Sequence, residues 1–194
     1  DKQIWSPKNF DRKSHGNVAL IDALAHSYNQ ATARLGDEVG IAAVVDVLGR
    51  AGLRENINAV PSMFIGTTQL SPLDVAQLYQ TLAANGFKTP IKAIRAVLDS
   101  DNKPLKRFPF EVEQVLDDKA AYLMQRALIH VAEQGSAKAA RWILPRGFSF
   151  AGKTGTSGDQ RDSWFAGYTG DVLAVVWAVS YTHLRAHETR EYLV

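Results

Sequence analysis

Cysteine is absent from these 194 residues, which excludes disulfides, thiol catalysis and cysteine-ligated metal but leaves the compartment open. A run of about eighteen apolar residues is missing too, so no segment reads as a transmembrane helix. The opening Asp1-Lys2-Gln3-Ile4-Trp5-Ser6-Pro7 lacks the basic-then-apolar pattern of a signal peptide. Nor is there an excess of charge: the net charge is +2, the basic residues are dispersed, and no Lys/Arg block or aromatic ladder marks a nucleic-acid surface. Internal repeats and low-complexity stretches are also lacking. What is present is a hydrophobic content of 46%, enough to build a core, in a length that fits one domain or a large piece of one.

The apolar spacing of Val18, Leu20, Ile21, Leu24 and Ala25 predicts a helix running toward Ser27-Tyr28-Asn29. A second helix is expected from Glu38 to about Ala51, with Gly52 as its stop. A third has Ser71 as N-cap, Pro72 at the first helical position, Asp74 completing a capping-box arrangement and Asn85-Gly86 closing it, with Leu73, Ala76, Leu78, Tyr79 and Leu82 on the buried side. Residues 91–99 and 104–110 read as a hairpin joined by Asp99-Ser100-Asp101-Asn102-Lys103. A long helix at about 117–134 ends at Gly135, where Gly135-Ser136 reads as a C-cap and turn. Strands follow at 148–156, 162–169 and 172–179. Helices first and then three short strands joined by tight turns define an α+β class with an antiparallel sheet.

Two chemistries compete for Ala151-Gly152-Lys153-Thr154-Gly155-Thr156-Ser157-Gly158. Gly147 to Thr154 satisfies the G-x-x-x-x-G-K-[ST] pattern of a phosphate-binding loop. That loop works by turning from a strand into a helix whose N-terminal N–H groups face the phosphates. Here the spacer Phe148-Ser149-Phe150-Ala151 alternates like a strand, and Gly155, Gly158 and Asp159 follow where a helix is needed. The second reading is an edge strand with Phe148 and Phe150 on the buried face. Lys153 then supplies a positive charge, Thr154 and Thr156 supply hydroxyls, and Gly155 leaves room for an extended peptide ending in a carboxylate.

With Ser27-Tyr28-Asn29 as S-x-N and Lys153-Thr154-Gly155 as K-T-G, the chain resembles the penicillin-binding transpeptidases, which share a fold and motif set with the serine β-lactamases. Thr68 to Gln77 with Ala84-Asn85-Gly86, and Asp162-Ser163-Trp164-Phe165-Ala166-Gly167, are similar to segments of the bifunctional class A members, and the resemblance extends over about residues 4–179. It implies a β-lactamase/transpeptidase-like α+β fold, here a helical subdomain plus the later strands of the sheet, truncated. It implies an activated serine that attacks a D-Ala-D-Ala peptide bond of a peptidoglycan stem peptide and passes the acyl group to an amine. Ser27 would lie on the proton path to the leaving amine, Asn29 would bond the substrate peptide, and Lys153 with Thr154, Gly155, Thr156 and Ser157 would hold the carboxylate, the Thr156 N–H adding to an oxyanion hole. β-Lactams would occupy the same site, at the periplasmic face of the bacterial inner membrane. No cofactor, metal or nucleic acid is implied. A related β-lactamase or D,D-carboxypeptidase is the alternative within this class.

The family's S-x-x-K, which places serine and lysine one helical turn apart, is not found between Asp1 and His26. The S-x-x-K spelled by Ser100-Asp101-Asn102-Lys103 is a cluster of turn formers ahead of Pro104, which disfavours a helical Lys103. The chain is therefore expected to be a partial transpeptidase domain, residues 1–179, without its nucleophile and with strand 172–179 left as an exposed edge. Residues 180–194 depart from the family and read as a non-native tail. His183 and His187 stand at i, i+4 there, without a third ligand of evident origin.

Overall fold

The structure, a computed structural model, describes residues 5–53, 57–157 and 162–179. The expected tail, with His183 and His187, and the Gly158-Asp159 turn lie outside the described residues.

The first helix, α1, spans Leu20–Ala25 and ends sooner than its apolar spacing suggests. Ser27 takes a φ of 55°, in the left-handed region, and the chain turns into a second helix, α2, at Asn29–Val39. Asn29 is thus the first residue of α2 and not the end of α1. The α2 sequence carries few large apolar residues, and its contact face is made of Ala33 and Gly36. The Phe64 ring sits so close to Gly36 that a Cβ there would fall inside it. Such a face leaves no periodic hydrophobic signal, which is why this helix is not legible from the sequence. Gly40, at φ 89°, separates α2 from α3 (Ile41–Arg50), so the expected helix from Glu38 begins three residues later. Gly52 follows it at φ 111°, as its stop.

After a 3-10 turn at Pro61–Ile65, α4 spans Pro72–Ala83 with the expected capping box: Ser71 Oγ accepts from the Asp74 N–H, and the Asp74 carboxylate accepts from the Ser71 N–H. Its most buried residues are polar, however. Thr81 donates to the Ala51 carbonyl at 2.9 Å, and the Gln77 amide bonds the backbone of Thr89 and Ile91, whereas Leu73 is 62% exposed. These bonds tie the end of α3 and the chain after α4 to one helix.

A small lobe follows. In it β1 (Phe87–Lys88), β2 (Ala96–Leu98), β3 (Pro104–Arg107) and β4 (Glu113–Gln114) make two antiparallel pairs, β1 with β4 and β2 with β3. The hairpin is shorter than expected and exposed throughout, because no element covers either face. Its turn holds Ser100 to Lys103 as a loop, with Asp99 Oδ1 accepting from the N–H of Asp101 and Lys103. Helix α5 (Asp118–Gln134) is capped by the Asp117 side chain and stops at Gly135, as expected.

A 3-10 turn at Lys138–Trp142 leads to the sheet: β5 (Ala151–Thr156), β6 (Asp162–Tyr168) and β7 (Leu173–Val179), antiparallel in the order β5-β6-β7. Phe150 is buried, but Phe148 is 47% exposed and precedes the strand, so only one of the two expected aromatics reaches the core. Helix α5 lies on the sheet through Leu128 against Ala151 and Tyr168, while α1 and α5 meet through Ala25, Val131 and Ala132. β5 and β7 are the edges, and β7 exposes Val176 and Trp177. The α+β fold with its antiparallel sheet is as the sequence indicates.

Candidate active site

The ends of α1 and α5 converge on β5, and glycine makes this possible. Gly135 has φ −102°, which any residue can adopt, so backbone conformation is not the reason for glycine here. A Cβ at Gly135 would lie 2.8 Å from the Ala25 carbonyl carbon and 2.9 Å from its Cα, closer still to the oxygen. The bare backbone lets the helix ends touch, and the Ser136 N–H donates to the Ala25 carbonyl at 3.0 Å. Two residues beyond Ala25, the left-handed turn at Ser27 swings its hydroxyl toward the strand. A non-glycine residue in that conformation costs about 1–2 kcal/mol, a strain of the kind found where a side chain must be aimed.

Lys153 is what both helix ends meet. Its ammonium donates to Ser27 Oγ, to Ser136 Oγ at 3.4 Å and to the Thr154 carbonyl at 3.0 Å, which uses all three of its donors. No carboxylate lies within ion-pair distance of it among the described residues. Burial pushes the Lys153 pKa below the usual 10.5, because a partly desolvated ammonium loses hydration that no counter-charge restores. A half-buried cation ringed by hydroxyls is a seat for an anion that arrives with the substrate.

Thr154 Oγ1 donates to Ser136 Oγ at 2.7 Å, so Ser27, Ser136, Lys153 and Thr154 form one connected cluster. Gly155 pairs with Trp164, and a Cβ at Gly155 would press on the Trp164 Cβ at 3.2 Å. Thr156 is exposed at the end of β5, opposite Ser163. Ser157 closes the β5–β6 ladder: its N–H donates to the Asp162 carbonyl at 3.1 Å and its hydroxyl accepts from the Asp162 N–H at 2.9 Å. Asp162 also accepts from Trp177 Nε1 at 3.1 Å, beneath a Trp164–Trp177 stack with centroids 5.2 Å apart, which gives those residues the structural role expected of them.

Asn29 is not drawn into the lysine cluster. Its Nδ2 donates to the Lys8 carbonyl at 2.9 Å and pins the segment before α1, while Asn9 Oδ1 accepts from the Gln30 N–H at the start of α2. Ser136 is the residue that sequence reasoning missed. A glycine-serine pair after a helix has the appearance of a cap, and nothing in linear spacing ties position 136 to position 153. The phosphate-loop alternative fails, since Lys153 and Thr154 lie inside a strand that continues to Thr156 and no helix N-terminus faces them. An open groove of about 370 Å³ bordered by Gly52, Gln77, Lys88 and Glu113 shares no residue with the cluster.

The model of the penicillin binding protein transpeptidase domain matches residues 1–191. The chain belongs to that family. It is 41% identical over 177 residues to penicillin-binding protein 1B of Vibrio cholerae, spanning 89% of this chain and 22% of that relative. To penicillin-binding protein 1B of Escherichia coli it is 36% identical over 179 residues, 90% of this chain and 21% of that one. The chain thus spans about a fifth of the length of these curated relatives. Among solved structures, penicillin-binding protein 1A of Haemophilus influenzae aligns with a TM-score of 0.82 at 20% identity, over 91% of this chain and 32% of that one. The PonA1 protein of Mycobacterium tuberculosis in complex with penicillin V aligns with a TM-score of 0.76 at 25% identity, over 90% of this chain and 50% of that one. No helix among the described residues is long and apolar enough to cross a membrane.

Proposed function

We propose that the chain is the carboxylate-binding and proton-handling half of a peptidoglycan D,D-transpeptidase, one that cross-links stem peptides by serine acyl transfer. The observation that carries this reading is the unpaired Lys153 ammonium held between the hydroxyls of Ser27 and Ser136 on an edge strand. In acyl transfer the departing D-Ala amine needs a proton. Ser27 can pass one on because its oxygen takes a hydrogen bond from Lys153 and its own hydroxyl turns outward on the strained loop. The substrate carboxylate settles over the Lys153 charge and the β5 hydroxyls, and the open edge of β5 offers backbone groups for the extended stem peptide and for the oxyanion. Asn29 spends one amide proton on Lys8, so its Oδ1 is left to accept from a substrate N–H. A β-lactam carries the same carboxylate beside a reactive amide and takes the same seat.

The attacking serine and its lysine belong to an S-x-x-K helix that these 194 residues do not contain ahead of Ser27. The whole enzyme works at the periplasmic face of the inner membrane, where peptidoglycan is built. A β-lactamase would need a carboxylate poised over the acyl group, and none adjoins the Lys153 cluster among the described residues. Fluorescent penicillin tests the reading. The 194-residue chain should take up no covalent label, whereas the sequence joined to an upstream S-x-x-K segment should be labelled and lose labelling in Lys153→Ala. Stoichiometric labelling of the chain alone, or labelling indifferent to Lys153, would overturn it.

A further inference from the structure

Hydroxyl groups have one proton and two lone pairs each, and in this cluster most of them are already committed. Lys153 spends its three protons on Ser27, Ser136 and the Thr154 carbonyl. Thr154 spends its single hydroxyl proton on Ser136, which leaves Thr154 Oγ1 able only to accept. Ser136 Oγ receives from both Thr154 and Lys153, so both of its lone pairs are occupied, and its own proton has no acceptor among the described residues. Ser136 is also exposed, while Lys153 and Thr154 are half-buried.

We infer that Ser136, and not Thr154, is the side chain that hands a hydrogen bond to the substrate carboxylate. A carboxylate only accepts, and of these side chains Ser136 alone combines a free proton with access. An oxygen that takes a hydrogen bond from an ammonium becomes a better donor itself, so the Lys153 charge reaches the ligand through Ser136. Gly135 fixes the position of this donor: the close approach to Ala25 and the Ser136 N–H bond to that residue's carbonyl hold the hydroxyl over β5. The inference rests on the reading of Lys153 as a carboxylate seat and adds which hydroxyl completes it.

The test is an amide-shift NMR titration of the 194-residue chain with N-acetyl-D-alanyl-D-alanine and, in parallel, with its C-terminal amide, which lacks the carboxylate. The unmodified chain should prefer the carboxylate. Ser136→Ala should weaken binding of the carboxylate form by about tenfold or more, the effect of losing a hydrogen bond to a charged group, and leave the amide form unchanged. Ser136→Thr, which keeps the hydroxyl, should restore the preference, and Thr154→Val should reduce it less than Ser136→Ala does. A preference that survives Ser136→Ala but is lost in Thr154→Val overturns the inference and leaves the carboxylate seat standing. No preference in the unmodified chain overturns the seat itself and the inference with it.

Discussion

Substituting Gly135 by alanine separates two reasons for a glycine, conformation and space. The φ of −102° is open to alanine, so the change introduces no backbone strain and should even gain about 0.4–1 kcal/mol by restricting the unfolded chain. Against that stands the Ala25 backbone, whose carbonyl carbon lies 2.8 Å from where the new Cβ must go. Backbone cannot rotate aside as a long side chain can, so α1 and α5 must part. Overpacking of this kind costs about 1–3 kcal/mol. The Ser136 N–H to Ala25 bond, worth about 1 kcal/mol, is lost with it. The net destabilisation is about 1–4 kcal/mol, to be read as a fall in the urea midpoint at unchanged slope. Gly49 provides the contrast. It lies in α3, where a Cβ would meet nothing within 4 Å, so Gly49→Ala should stabilise by about 0.5–1 kcal/mol. If Gly135→Ala were also neutral or stabilising, the close helix contact that places Ser136 would be refuted.

Tyr168 is buried with a hydroxyl that finds no partner among the described residues, so Tyr168→Phe should be neutral or stabilise by up to about 1–3 kcal/mol; a clear loss in a thermal melt would reveal a missed partner. Burial raises both Tyr79 and Tyr168 from 10.0 to about 12. The unfolded chain releases these protons near pH 10 while the folded one still holds them, so stability should fall as pH rises from 10 toward 12. Tyr168→Phe should make that fall shallower, and a flat profile would contradict the burial of the pair. Ser71→Ala removes the α4 cap and should lower stability by about 1 kcal/mol in chemical denaturation; no change would mean that α4 does not depend on its capping box.

Legibility follows the physics of each element. Helices α4 and α5 and the three sheet strands can be read because caps, turn residues and apolar alternation are local signals. Helix α2 cannot, since it packs through Ala33 and Gly36 under Phe64, where closeness replaces hydrophobicity. The buried side of α4 departs from its apolar spacing for a related reason: Gln77 and Thr81 are inside because they satisfy distant backbone groups, and composition carries no trace of a distant partner. At the site, Lys153 and Ser27 are marked by their motifs, and the structure joins them by a hydrogen bond. Ser136 reaches the same cluster through a helix contact created by the absence of one Cβ. That information is purely tertiary.

The central claim is that Lys153 is a desolvated ammonium waiting for a carboxylate. Its side-chain titration, followed by NMR of 13C-labelled lysine with the Lys153→Arg variant to assign the signal, tests this directly. The free chain should titrate below 10.5, because burial disfavours the charged form and no counter-charge is at hand. N-Acetyl-D-alanyl-D-alanine should raise the midpoint, since an adjacent anion favours the ammonium, and the C-terminal amide of that dipeptide should leave it where it was. A midpoint of 10.5 or above in the free chain, or one that responds equally to both ligands, would contradict the account.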